Sequence, residues 1–165
     1  MPDPILILTG PPGVGKTTTA RLLADGFERA VHLESDAFFH FIRSGYVEPW
    51  KPESHPQNTS VMRIVADAAA GYADAGYFTI LDGIVSPRWF FESLHQALLE
   101  AGHTVAYAVL RAPLDVCAAR AAARQASPIA DVGPRERHAI DADGLSAERV
   151  AEEVTRRLCA GSLNV

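Results

Sequence analysis

The chain has 165 residues, 48% of them hydrophobic and 21% charged, with a formal net charge of −5. That length suits one domain with a full hydrophobic core, and a single domain over residues 1–165 is expected. The negative balance gives no general attraction to nucleic acid or to an anionic membrane, and no apolar run reaches membrane-spanning length. The opening Met-Pro-Asp-Pro has no basic residue of a secretory signal. The expectation is a cytoplasmic protein without nucleic-acid or membrane partners, a monomer or a weak homodimer.

The first apolar run, 5–8, leads straight into Gly10-Pro11-Pro12-Gly13-Val14-Gly15-Lys16-Thr17-Thr18, and a helical pattern follows over 15–25. A strand, a glycine-rich turn ending in Gly-Lys-Thr and a helix make a phosphate-binding loop. Glycines let the backbone approach a polyphosphate closely, and backbone N–H groups can ring it. Pro11 and Pro12 have no N–H, so the donors are expected from Gly13 through Thr18, with Val14 among them. Lys16 is a point charge for the outer phosphates, the Thr17 hydroxyl is placed to ligate Mg²⁺, and the helix adds its positive end. ATP and Mg²⁺ are the cofactors this pattern predicts.

The second apolar run, 30–34, ends in Glu34-Ser35-Asp36. A carboxylate there can take the proton of an acceptor hydroxyl and orient its oxygen for in-line attack. It can equally cap a helix starting at Ala37, and both roles can coexist. Residues 37–58 then break the alternation with Pro49, Pro52 and Pro56 and a cluster of aromatics, and form a candidate acceptor-side insert. Within it Phe39, His40, Arg43 and Trp50 are candidate substrate contacts. The aromatics predict a compact, partly apolar acceptor.

A helical pattern at 60–75 precedes the third apolar run, 78–81, which closes on Leu81-Asp82-Gly83. A carboxylate at a strand end beside a phosphate loop is a partner for Mg²⁺; an ordinary Asp-Gly turn would look the same. Arg88 follows as a weaker phosphate or substrate contact. Next come a helical pattern at 87–101, an apolar run at 105–110 and a helical pattern at 114–124. Arg120 and Arg124, four apart, share a face of that helix, and planar guanidinium groups suit the charge of a transferring phosphoryl group. A solvated arginine face gives the same spacing. Residues 125–134, with Pro128, Gly133 and Pro134, form a candidate short lid, and a last run at 138–140 and helix at 146–159 complete the order. Strands alternating with helices predict an α/β fold with a five-stranded parallel sheet and helices on both faces. Of the six histidines, His40 and His55 lie in the insert; His32, His95, His103 and His138 are expected to be structural. Cys117 is expected in the core.

Taken together these residues resemble the small P-loop kinases: nucleoside monophosphate kinases, shikimate and gluconate kinases, and chloramphenicol phosphotransferase. The likeness spans nearly the whole chain. Asp82-Gly83 with Pro87-Arg88 is similar to the Asp-Gly-x-Pro-Arg motif of nucleotide kinases, with two extra residues between. Leu110-Arg111-Ala112-Pro113 followed by Arg120 and Arg124 is similar to their segment leading into the lid, which implies that Arg120 contacts adenine or phosphate and Arg124 is a lid arginine. Residues 140–146 are similar to the last strand and the loop over adenine. In chloramphenicol phosphotransferase-like members the aspartate after the second strand is the proposed base, and Asp36 matches it. The insert matches no well-characterised acceptor site. The reading is an ATP-dependent kinase acting on a small-molecule hydroxyl, in a metabolite, a nucleoside or nucleotide, or an antibiotic. The alternative is a regulatory or switch ATPase acting through a protein partner, although the guanine-reading Asn-Lys-x-Asp motif is absent from the sequence.

Overall fold

A computed structural model of the chain describes residues 4–122 and 136–165. These form strands β1 (Ile5–Thr9), β2 (Ala30–Glu34), β3 (Phe78–Asp82), β4 (Val105–Arg111) and β5 (Ala139–Asp141). The helices are α1 (Lys16–Asp25), α2 (Ser35–His40), α3 (His55–Asp74), α4 (Phe91–Glu100), α5 (Leu114–Ala122) and α6 (Ala147–Cys159). The strands make one parallel sheet in the order β2-β3-β1-β4-β5.

All of β1 and β3 is buried, which is why both read as unbroken apolar runs: a parallel sheet is covered on both faces. Alternate residues serve the two faces. Ile5 and Ile7 of β1 join Val65, Ala69, Leu94 and Leu98 of α3 and α4. Leu6 and Leu8 join Ala20 and Leu23 of α1, Cys117 of α5 and Val150 and Val154 of α6. The fold is thus α/β with helices on both faces; the expected lid, 125–134, lies outside the described residues. No described helix is long and apolar enough to cross a membrane.

The differences from the sequence expectation have local causes. β3 and β4 run one residue further than their apolar runs, because Asp82 still pairs in register with Leu8 and Glu34, and Arg111 with Asp141. Backbone pairing continues where side-chain polarity changes. The 37–58 segment is not uniformly irregular. Its first residues belong to α2, and α3 begins at His55, five residues before the expected start. Pro56 stands at the beginning of α3, where a missing N–H costs nothing, and Pro52 likewise opens a short 3₁₀ turn, Pro52–Ser54. α4 begins late, at Phe91, because Ser86 and Trp89 exchange backbone hydrogen bonds of 3.0 and 2.8 Å and fold Pro87-Arg88 into a tight turn. Phe90 then takes a left-handed conformation (φ 60°).

The end of the chain finishes the β4 edge that the short β5 leaves open. The Tyr107 N–H donates to the Leu163 carbonyl (2.8 Å) and the Val165 N–H to the Val105 carbonyl (3.1 Å). Leu163 is 0% exposed and packs into the α1/α6 side of the core. Replacing it by Ala removes buried methyl groups and leaves a cavity. We expect Leu163→Ala to lower unfolding free energy by about 2–5 kcal/mol in urea titrations.

Candidate active site

The carboxyl ends of β1, β2, β3 and β4 lie along one edge of the parallel sheet, so the segments after Thr9, Glu34, Asp82 and Arg111 gather there. This is the edge where open α/β sheets bind ligands. The loop after β1 is shaped by contact. A Cβ on Gly10 would stand 2.5 Å from the Leu110 carbonyl oxygen and 2.9 Å from Val14 Cγ1, so only glycine fits. Val14 is buried beneath the loop, and Gly15 caps α1 in a left-handed conformation (φ 104°). The first turn of α1 carries no acidic side chain, which leaves its positive end to an anion.

The Lys16 ammonium lies inside the loop and donates to the carbonyls of Gly10 (2.9 Å) and Pro11 (3.1 Å). Burial pulls it below the ordinary lysine value; Asp82, and after it Asp36, act in the opposite direction. The neighbouring Thr17 hydroxyl donates to Asp82 Oδ2 at 2.7 Å, tying α1 to the end of β3. His32 of β2 approaches the same oxygen with Nε2 at 3.2 Å. Asp82 is 4% exposed and the His32 side chain 11%.

Asp36 is brought to this cluster by the residue that follows β3. A Cβ on Gly83 would fall 1.9 Å from Ser35 Oγ, so glycine alone lets the end of β3 meet the start of α2. Asp36 is not the cap of a helix starting at Ala37: α2 begins at Ser35 after the extended residue Glu34, and Asp36 lies in its first turn. Its carboxylate is reached by solvent, yet enough protein crowds it for partial desolvation to raise its pKa. Lys16 acts against that rise, Asp82 adds to it, and His40 and Glu34 contribute less, with opposite signs.

Beyond Gly83 the chain is held from both sides. The Val85 N–H donates to Thr9 Oγ1 (3.0 Å), and the Tyr107 hydroxyl donates to the Val85 carbonyl (2.7 Å). The turn that follows forms one wall of a cavity of about 620 Å³, with Arg88, Trp89 and Phe90 facing Pro49, His55 and Asn58. The opposite wall is fastened by amide side chains. Gln57 bonds both the N–H (2.8 Å) and the carbonyl (2.6 Å) of Val47, and Asn58 Nδ2 donates to the Pro49 carbonyl (2.8 Å).

Of the expected acceptor contacts, Arg88 lines this cavity. Phe39 does not: it is 3% exposed, belongs to the core and stacks behind Trp89 (centroids 6.3 Å apart), because the α2 face it occupies is the buried one. Trp50 is 49% exposed and outside the lining, although Pro49 and Lys51 belong to it. His40 stacks on Tyr46 (6.3 Å) and Arg43 is exposed; neither lines the cavity. Thr18 and Arg120 are exposed on α1 and α5. Arg124 lies outside the described residues. The described residues hold no group of three or more His, Cys, Asp and Glu side chains that could bind a metal by themselves. His32, expected to be structural, is the residue that the structure adds to this cluster; only its place on the strand beside β3 marks it.

A parallel sheet in this order, with a Gly-Lys-Thr loop after its central strand, defines the small P-loop kinase fold. The chain belongs to the AAA domain family, whose match covers residues 5–155. It is similar to the tunicamycin resistance protein of Deinococcus radiodurans (24% identity over 94% of this chain and 95% of that one, TM-score 0.70). It is also similar to the Mycobacterium tuberculosis APS kinase CysC, solved with AMPPNP and APS (17% identity over 97% and 99%, TM-score 0.71). A third similar structure is a gluconokinase from Sinorhizobium meliloti (14% identity over 98% and 94%, TM-score 0.65). Comparison with curated proteins gives no match.

The Gly83–Ser35 contact yields a direct test. Gly83→Ala pushes β3 and α2 apart and should cost about 1–3 kcal/mol of stability, as overpacking does. The double variant Gly83→Ala/Ser35→Gly, which removes the opposing side chain, should recover most of that loss in thermal and urea unfolding.

Proposed function

We propose that the protein is an ATP-dependent kinase that transfers the γ-phosphoryl group to a hydroxyl of a small molecule, acting in the cytoplasm. The observation that carries this reading is the second carboxylate. Asp36 is open to solvent, on a different element from Asp82, and within electrostatic reach of both Lys16 and Asp82. A loop that only held nucleotide would have no use for it.

The backbone N–H groups of Gly13 to Thr18 and the end of α1 would hold the phosphates, with Lys16 countering the charge of the outer ones. Thr17 and Asp82 offer a hydroxyl and a carboxylate 2.7 Å apart, a hard-oxygen pair that fits Mg²⁺. When bound there, Mg²⁺ would neutralise charge on the phosphate oxygens. Asp36 would accept the proton of the acceptor hydroxyl as that oxygen bonds to the γ-phosphorus and the bond to the ADP oxygen breaks. Arg120 and Arg124 are assigned to the transferring charge. The acceptor would lie between Asp36 of α2, the helix whose Phe39 stacks on Trp89, and the cavity of Trp89, Phe90, His55 and Arg88, an aromatic-walled space that suits a compact, partly apolar molecule. His40, Arg43 and Trp50 belong to the segment joining Asp36 to that wall and remain candidate contacts.

The experiment is an ATP-consumption screen over hydroxylated metabolites, nucleosides and antibiotics, repeated with two variants. Lys16→Ala should lower turnover by roughly 10²-fold or more with the fold intact. Asp36→Asn should keep ATP affinity and lose most acceptor phosphorylation. Unchanged turnover in Lys16→Ala would remove the loop from the chemistry. A large loss of Mg·ATP affinity in Asp36→Asn, with normal transfer at saturating Mg·ATP, would exchange the roles of the two aspartates.

The same assignment fixes a pH dependence. Asp36 must be ionised to accept a proton, and desolvation raises its pKa. Activity should therefore fall on the acid side, with a midpoint above the ordinary aspartate value. Removing Lys16 should move the midpoint further up, because Lys16 favours the charged form. The profile of kcat/KM against pH measures both.

A further inference from the structure

The Thr17–Asp82 pair has a third member. His32 stands on β2, next to β3 in the sheet, and pairs in register with Ile80, two residues before Asp82. Its Nε2 lies 3.2 Å from Asp82 Oδ2, the oxygen that also accepts the Thr17 hydroxyl at 2.7 Å. The carboxylate is acceptor-only when ionised, so the hydrogen of this contact belongs to Nε2. Both donors fall on Oδ2, and neither of these bonds uses Oδ1. Arg21 of α1 pairs with Glu34, at the end of the same strand, at 3.0 Å.

We propose that His32 is a positioning residue for the cation site: its Nε2–H fixes the rotation of the Asp82 carboxylate so that Thr17 and Asp82 present their oxygens to the nucleotide-bound divalent cation together. A carboxylate on a strand end can rotate about its χ2 bond, and Thr17 alone is a mobile partner because its hydroxyl must turn when a cation takes its oxygen. The imidazole is rigid, nearly buried and carried by the sheet, so its bond survives that change. Outer partners that orient a ligating carboxylate act through that ligand and not on the substrate. His32 therefore has no part in binding the acceptor, and none in holding the phosphates without metal. This inference rests on the nucleotide-binding reading above.

The test uses the full chain and isothermal titration of a non-hydrolysable ATP analogue with Mn²⁺ and with EDTA; the ratio of the two Kd values is the strength of cation coupling. His32→Leu keeps bulk and removes the donor. His32→Gln keeps a donor near the Nε2 position. We expect His32→Leu to lower the coupling ratio by about 10-fold or more, and His32→Gln to keep it within about threefold of wild type. The Kd in EDTA should be the same for all three proteins. A wild-type ratio in His32→Leu overturns the proposal, as does an equal loss in both variants. A rise in the EDTA Kd of His32→Leu that accounts for the whole change also overturns it, because that marks a packing role. If the wild-type protein binds the analogue equally well with and without Mn²⁺, the cation reading of Thr17 and Asp82 fails, and the role of His32 fails with it. If Asp82→Asn abolishes coupling while His32→Leu does not, the cation reading stands and only the role of His32 falls.

Discussion

The bond from Thr17 to Asp82 joins the two parts on which the rest of the site depends. Thr17 is fixed by the left-handed turn at Gly15 that starts α1, and Asp82 by in-register pairing between β1 and β2. Side-chain rotation can turn either group but cannot move its backbone position. A shift of β3 by one residue would turn Asp82 to the opposite face of the sheet and put Leu81 in its place. The site therefore inherits its precision from sheet register.

Charge is arranged around that junction in a fixed sequence. Lys16 is desolvated inside its loop and stabilised by Asp82 and then Asp36; Asp36 in turn is raised by desolvation and by Asp82, and lowered by Lys16. One cation thus interacts with two carboxylates in environments of unlike burial. Asp82 is almost closed to solvent, and Asp36 is open to it. Carboxylates so placed are suited to different work: the enclosed one to hold a fixed geometry, the open one to exchange a proton with an incoming molecule. The separation depends on Gly83, since any side chain there would strike Ser35 and move α2 away.

The phosphate end was legible in the sequence because its demands are local. Gly10-x-x-x-x-Gly15-Lys16-Thr17 fixes backbone conformation and donor positions within eight residues, and the apolar runs of buried parallel strands need no partner to be recognised. The expected acceptor side was less legible because the cavity there is made of contacts between distant segments. Phe39 and Trp50 look alike as aromatics of one insert, and only the packing of α2 against Trp89 separates a core residue from an exposed one. The prolines of 49–56 read as irregularity, yet Pro56 occupies the one part of a helix that accepts proline. His32 carried no signal of its own, since its meaning comes from lying across the sheet from Asp82.

The two ends of the site are also held by different kinds of force, and this bears on how specificity can vary. The phosphate end is built from backbone geometry and strand register, which tolerate little change. The cavity walls are fastened by a few side-chain bonds: Gln57 to Val47, Asn58 to Pro49, and Thr9 and Tyr107 to Val85. None of these bonds requires a particular side chain at 88, 89 or 90, where the turn presents its residues to the cavity. Exchange of those residues would alter the shape of the cavity while the bonds that hold Val85 remain. On the proposed function, a fold arranged in this way would keep its phosphoryl chemistry constant and let the acceptor be set by a turn and an insert.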